Sequence, residues 1–272
     1  MDVANLDGKV AIVTGGGAGI GGGISRLLAR AGALVIVNDI DPALAATAGT
    51  DIQREGSRAV VVDGDIRDAA TVRRVRDAAL EAGHIDVLVN NVGDYRPAGR
   101  FVNTTEDDWN ALYALNLQHV FRCTHAVLPT MLEQESGSIV NVSTVEAFRG
   151  IPGNAVYSAF NAGVSAFTKS LAVEVGSHGI RVNAIAPDMA DTLQTPAAAM
   201  LRGRDPGMTR SWIPVGRFGQ PDDYALVVLF LAGDQSRFVT GQTIPVDGGT
   251  LASSGWFRRV NGPGWTNLPD QP

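Results

Sequence analysis

A short apolar run, Val10–Val13, opens directly into Thr14-Gly15-Gly16-Gly17-Ala18-Gly19-Ile20-Gly21, and helical apolar spacing follows over Ile24–Ala31. Few sequence features restrict a fold as tightly. Glycines at 15, 19 and 21 permit a tight turn and let backbone approach a ligand closely. A helix starting there aims free N–H groups and the positive end of its dipole at the same spot. A strand, a glycine turn and a helix in this order form a pyrophosphate cradle of the kind found in parallel α/β sheets. A glycine cluster without those flanks would say much less.

The rest of the chain keeps that architecture. Apolar, β-branched runs recur at Leu34–Asn38, Ala59–Asp63, Val87–Asn90, Ser138–Val142, Ile180–Ile185 and Thr243–Val246. They lack polar–apolar alternation, as expected where helices cover both faces of a sheet. Helical spacing fills the intervals Ala69–Ala82, Glu106–Met131, Ala155–Gly176 and Asp222–Ala232. The order predicts an α/β fold: a doubly wound, Rossmann-type parallel sheet of about seven strands with helices on both faces. No Pro/Ser-rich linker and no internal repeat divides the 272 residues, so a single domain over 1–272 is expected. An irregular stretch, about 188–221, reads as a substrate lid. Its Met189, Leu193, Met200, Leu201, Met208, Trp212 and Ile213 suit either a hydrophobic substrate or packing within the lid itself. The tail, about 250–272, carries Trp256 and Trp265 and is expected to pack on the body or on a neighbouring subunit.

Composition removes several classes of function. A net charge of −6 leaves no footprint for nucleic acid, and Arg73, Arg74 and Arg76 sit among acids as a solvated helix face. The one cysteine, Cys123, lies in an apolar stretch and reads as a buried structural thiol. The 4 histidines lack ligand spacing, so no metal is expected. No apolar run approaches the ~18 residues that span a bilayer, and the first residues lack a signal-peptide profile. A soluble cytoplasmic protein without a membrane partner is the expectation.

The second strand ends in Val37-Asn38-Asp39. An acid at this place accepts hydrogen bonds from the hydroxyls of an adenosine ribose and repels a 2′-phosphate. Neither Lys nor Arg occurs in Gly15–Gly23 or directly after Asp39 to receive such a phosphate. The cofactor reading is therefore NAD.

Thr-Gly-x-x-x-Gly-Ile-Gly at 14–21 is joined, in order, by Asn90-Asn91-Val92-Gly93, Asn116, Ser143-Thr144 and Tyr157. Arg181-Val182-Asn183-Ala184-Ile185-Ala186-Pro187 and Val246-Asp247-Gly248-Gly249 complete the series. Over about residues 5–250 the chain resembles the short-chain dehydrogenase/reductase family. The resemblance implies a cofactor site from Gly15, Gly17, Gly19, Ile20, Gly21, Asp39, Asp65, Ile66, Asn90, Asn91, Gly93, Pro187 and Thr192. Within it Asp65 would bond the adenine amino group, Asn90 would line the adenosine pocket, and Thr192 would meet the nicotinamide carboxamide. The catalytic positions fall on Asn116, Thr144, Tyr157 and Asn161, with Ser143 a substitute for Thr144 if the loop shifts by one residue. A homotetramer is also implied, pairing the helices around 106–131 and 155–176.

One departure bears on chemistry. The family's Tyr-x-x-x-Lys stands here as Tyr157-Ser158-Ala159-Phe160-Asn161. A unit charge at ~5 Å in an effective dielectric of ~20 is worth roughly 3 kcal/mol, or about two pKa units on the phenol. Asn161 supplies none of that charge. Lys169 lies about 12 Å further along the helix, and Arg149 sits in the loop before Tyr157. Asp188 stands where glycine is usual, and Val92 where alanine is.

The implied activity is NAD(H)-dependent interconversion of a secondary alcohol and a ketone, on a hydrophobic small molecule. Tyr157 would be general base or acid, Thr144 would hold the substrate oxygen, and Asn116 would anchor a relay water. The rival reading, motivated by Asn161, is an NAD(H)-binding protein with little or no catalysis. A nucleotide-free carbon–halogen lyase, a third class, loses the glycine cradle that is present here.

Overall fold

The computed structural model describes residues 5–253, 255–259 and 262–266. Seven parallel strands lie in the order β3-β2-β1-β4-β5-β6-β7. They are β1 Val10–Thr14, β2 Leu34–Asp39, β3 Arg58–Asp63, β4 Val87–Asn90, β5 Gly137–Val142, β6 Ile180–Pro187 and β7 Thr243–Val246. The order reverses between β1 and β4, and there the connections leave a crevice beyond the carboxyl ends of the strands. Thr14, Asp39, Asn90, Val142 and Pro187 each end a strand, so the sheet delivers the motifs that follow them to one edge.

Helices cover both faces. On one side α1 (Gly19–Arg30), α2 (Pro42–Arg54) and α9 (Pro221–Ala232) bury Ile24, Leu28, Ile52, Tyr224 and Val228 against the strands. On the other, α3 (Ala69–Leu80), α5 (His119–Gln134) and α6 (Ala155–Val175) bury Val75, Val127, Met131 and Leu171. Cys123 belongs to this second layer, and burial pushes its thiol up to about 12. Helix α2 was not among the predicted segments, although Asp41 caps it through bonds from Ala43 N and Leu44 N (2.8 and 3.2 Å) and Pro42 starts it.

Three expectations change. Strands β3 and β7 are edge strands with partly exposed residues, so their apolar runs are not covered on both faces. The helix predicted over Glu106–Met131 is two helices, α4 (Glu106–Tyr113) and α5, separated by a π-helical turn at Ala114–Gln118. The lid holds α7 (Ala197–Leu201) and α8 (Thr209–Trp212), and Leu201, Ile213 and Phe218 form a small core there with Met189, Met200 and Trp212 packed on it. Most of its apolar residues therefore pack on one another. Within the tail, β8 (Phe257–Arg258) and β9 (Trp265–Thr266) pair as a hairpin that touches α8; residues 254, 260, 261 and 267–272 lie outside the described set. Among the described residues no helix is long and apolar enough to cross a membrane.

Candidate active site

The glycine turn is fixed from three sides. Gly15 and Gly19 adopt φ of +62° and +55°, which L side chains rarely adopt. Asn91 Nδ2 donates to Thr14 O and Gly15 O (3.0 and 3.2 Å), and Ser25 Oγ donates to Gly16 O (3.0 Å). Helix α1 has no side-chain cap and no acid in its first turn, so its terminal N–H groups remain open to an anion. Asp39 Oδ2 accepts from Gly17 N (2.9 Å) and Oδ1 from Asp41 N (3.1 Å), which sets the carboxylate beside the cradle. An uncapped helix end, a turn without side chains and a carboxylate beside it fit a nicotinamide dinucleotide. Ile20 packs partly into the first core layer and holds the turn down.

The adenine side differs in detail from expectation. Asp65 is gripped by Arg67, with Nη2 2.6 Å from Oδ2, and that bond holds its carboxyl below the ordinary range. Ile66 is buried in the second core layer, 3% exposed, so its side chain serves packing. The Asn90 side chain, expected at the adenosine pocket, turns into the sheet. It is wholly buried, and its Nδ2 donates to Asn141 Oδ1 (2.9 Å) and Thr124 Oγ1 (3.3 Å), bracing β4 against β5. Successive strand residues face opposite ways, and Asn91 is the one that reaches the cradle.

Across the crevice the lid root closes over the turn. A Cβ at Gly19 would stand 3.5 Å from Thr192 Cβ, and Gln194 Nε2 donates to Gly93 O (3.1 Å). The Thr192 and Thr195 hydroxyls share a bond of 3.1 Å. Asp188 anchors this root by accepting from Arg149 Nη2 (2.8 Å), Thr250 Oγ1 (2.5 Å) and Met189 N (2.9 Å). Its carbonyl accepts from Tyr224 Oη (2.7 Å). The Asp188 position is thus a structural hub, and it holds the Arg149 guanidinium.

The catalytic candidates gather at the ends of β5 and α6. The Thr144 hydroxyl interacts with the Tyr157 phenol and favours its ionised form. It also donates to Glu146 Oε2 at 2.5 Å and lies 3.4 Å from Pro187 O. Ser143 points elsewhere, its Oγ donating to Asn161 O (3.1 Å). Burial raises the Tyr157 pKa, the negative charges of Glu146 and Asp94 raise it further, and the Thr144 bond pulls the other way. Asn161 is 3% exposed and returns its Nδ2 to Tyr157 O (3.1 Å) on its own helix. Lys169 is exposed on the surface. The π-helical turn aims Asn116 inward: its Nδ2 donates to Leu112 O and Asp94 O (2.9 and 3.0 Å) and its Oδ1 accepts from Asp94 N (3.1 Å). Burial alone would raise the Asp94 pKa, but its bonds to Arg96 outweigh that and hold it low. A recess lined by Pro97, Phe101, Leu112 and Val156 ends on Tyr157. Sequence reading missed Glu146. Its signal was a lone acid two residues past the hydroxyl, with Arg149 three further on.

A sequence model of the family described as enoyl-(acyl carrier protein) reductase matches residues 15–250. The chain is 40% identical to the 3-oxoacyl-(acyl-carrier-protein) reductase FabG of Thermotoga maritima, over 90% of this chain and 99% of that one. It is 38% identical to the (2S)-((R)-hydroxy(phenyl)methyl)succinyl-CoA dehydrogenase subunit BbsD of Thauera aromatica, covering 92% and 99%. Among solved structures, a 7α-hydroxysteroid dehydrogenase complexed with NADH and 7-oxo glycochenodeoxycholic acid superposes with a TM-score of 0.84 at 33% identity, covering 91% of this chain and 96% of that one. The chain belongs to the short-chain dehydrogenase/reductase family and is an oxidoreductase of that type.

Proposed function

We propose that this oxidoreductase uses NAD(H) to interconvert a secondary alcohol and a ketone on a hydrophobic small molecule. The observation that carries the reading is the pairing of the half-buried Tyr157 phenol with the buried Thr144 hydroxyl, beyond the same edge of the sheet that carries the glycine turn. When bound, the nicotinamide supplies or accepts a hydride. Tyr157 delivers or removes the proton on the substrate oxygen, and Thr144 stands beside the phenol. Asn116 holds the Asp94 backbone in place and is the candidate anchor for a relay water. The apolar character of the substrate now rests on the recess around Phe101, Leu112 and Val156, because most of the lid's apolar residues are spent on its own core. The solved relative bound to a steroid-derived ketone agrees with this class. A single buried cysteine suits the reducing cytoplasm. Partly exposed Phe121 on α5 and exposed Val173 on α6 offer surface for the subunit pairing of a homotetramer.

The NAD preference rests on Asp39. Removing a charge that repels a 2′-phosphate is worth about 2 kcal/mol, or roughly thirtyfold. Asp39→Ala is expected to narrow the ratio of NADH to NADPH affinity by about that factor, read from quenching or energy transfer of tryptophan fluorescence. An unchanged ratio places the ribose elsewhere.

The second reading, a cofactor-binding protein with silenced chemistry, is favoured by the uncharged, inward-turned Asn161. Asn161→Lys separates the two. An ammonium there lowers the Tyr157 pKa and is expected to raise alcohol oxidation at neutral pH about tenfold over an already active wild type. A wild type that binds NADH, stays silent across alcohols and ketones, and gains turnover only with this lysine establishes the silenced protein instead.

A further inference from the structure

Thr144 carries one hydroxyl proton and stands between two oxygens that compete for it, those of Tyr157 and Glu146. The 2.5 Å separation from Glu146 Oε2 is at the short end for an O–H···O bond and marks a charge-assisted one. Glu146 itself is enclosed, its side chain 14% exposed. The groups facing it come from several elements: Thr144 and Arg149 (3.8 Å) in its own loop, Asp188 after β6, and Tyr157 on α6. A carboxylate buried at such a place costs stability that an apolar residue would not.

We propose that Glu146 is the terminal proton donor and acceptor of the reaction, exchanging protons with the substrate oxygen through Thr144 and Tyr157. The inference rests on the tyrosine-dependent alcohol–ketone reading above. In the reducing direction the Glu146 carboxyl gives its proton to Thr144 Oγ1, the Thr144 proton passes to Tyr157 Oη, and the phenol proton passes to the carbonyl oxygen. The carbonyl carbon gains its hydride from the reduced nicotinamide. The ketone thus becomes an alcohol, the carboxyl a carboxylate and the reduced nicotinamide the oxidised form. Thr144 and Tyr157 end as they began. Oxidation runs the same path backwards.

The relay explains how the site can lack the ammonium. If Tyr157 kept the negative charge, the phenolate would face Glu146 and Asp94 with no cation at position 161. Through the relay the charge comes to rest on Glu146, beside Arg149. The same hydroxyl geometry also makes a switch. Ionised Glu146 draws the only Thr144 proton toward itself. Protonated Glu146 donates, and the Thr144 proton is free for Tyr157.

The direction of the pH dependence follows. Reduction needs protonated Glu146, so its kcat/KM falls as pH rises through the Glu146 pKa; oxidation needs the carboxylate and falls as pH drops through it. Burial raises that pKa, the Thr144 bond lowers it, Asp188 raises it and Arg149 lowers it, with a net rise. Both limbs therefore lie above the ordinary carboxylate range.

The test is Glu146→Gln, which keeps the size and a hydrogen-bonding oxygen but cannot titrate. Both directions are assayed against pH with one alcohol–ketone pair, and the carboxyl infrared band is titrated with and without NADH. The wild type is expected to lose tenfold per pH unit along each limb. In Glu146→Gln both limbs flatten and the best rate falls about a hundredfold. A wild-type carboxyl band missing from Glu146→Gln should titrate at the same pH as the limbs. The double variant Thr144→Ala/Glu146→Gln should be no slower than Thr144→Ala, since both cut one path. If Glu146→Gln is unstable, Glu146→Asp takes its place and should move the limbs rather than remove them. Wild-type limbs and rate in Glu146→Gln, unmoved limbs in Glu146→Asp, or a band titrating elsewhere, overturn the relay and leave the Tyr157 assignment standing. A wild type that binds NADH but turns over no alcohol or ketone overturns both.

Discussion

Tyr157→Phe is expected to lower kcat/KM for alcohol oxidation and ketone reduction about a thousandfold while leaving NADH affinity within about twofold. The ring is largely enclosed at the start of α6, and phenylalanine fills the same volume, so the packing survives. What disappears is the hydroxyl that meets Thr144 and faces the recess. A thousandfold corresponds to about 4 kcal/mol of transition-state stabilisation, within the range for a positioned proton donor. The loss should appear in kcat rather than in KM, because the phenol proton matters where charge develops on oxygen and little in the ground state. Burial and two neighbouring carboxylates keep this phenol neutral, so no limb of the wild-type profile near neutrality belongs to it. A neutral phenol suits the delivery of a proton better than its removal. Stopped-flow recording of NADH absorbance under single-turnover conditions separates chemistry from product release. Wild-type rates in Tyr157→Phe would move the proton-transfer role to Thr144.

The chain made its sheet legible where both faces are covered. Strands β1, β2, β4, β5 and β6 are continuous apolar runs because helices lie above and below them, and their ends carry the motifs. The same rule misread β3 and β7, whose apolar residues sit at sheet edges, since pattern alone does not reveal the number of neighbours. The break between α4 and α5 was hidden because apolar residues continue through it; the π-helical turn is set by Asn116 bonding Leu112 and Asp94, and Asp94 arrives from beyond β4. Asn90 and Asn91 look alike in sequence and diverge because the pleat sends one into the core and one to the cradle. Glu146 carries no periodic signal. Its surroundings depend on Asp188 arriving after β6 and on Tyr157 from α6, far apart along the chain. The departure at position 161 was plain from spacing, whereas the neighbouring carboxylate that changes its meaning was visible only in three dimensions.

The cradle itself is the most sensitive place in the molecule. Gly21→Ala is expected to weaken NADH binding at least a hundredfold and to lower Tm by several degrees. A Cβ at Gly21 would overlap the Gly15 carbonyl oxygen and come within 2.5 Å of Asn91 Nδ2. Neither neighbour can yield cheaply. Gly15 is backbone held at φ +62°, and Asn91 Nδ2 already donates to Thr14 O and Gly15 O. Moving them pulls the turn off the end of β1 and disturbs the bond from Gly17 N to Asp39. Overpacking of this kind costs about 1–3 kcal/mol of stability, and in a domain of this size each kcal/mol lowers Tm by roughly 2–4 °C. The loss of binding exceeds the loss of stability because the pyrophosphate needs every N–H of the turn in register at once. A neighbouring change separates the two effects. Gly22→Ala meets its nearest atom at 3.4 Å, an ordinary contact, and should leave both Tm and NADH affinity close to wild type. Isothermal titration with NADH and a thermal melt on the two variants give four numbers. Equal affinity in Gly21→Ala and wild type would show that the cofactor does not rest on this turn. Equal loss in Gly21→Ala and Gly22→Ala would show a helix that tolerates no side chain on that face, and would remove the special part given to the Gly15–Asn91 contact.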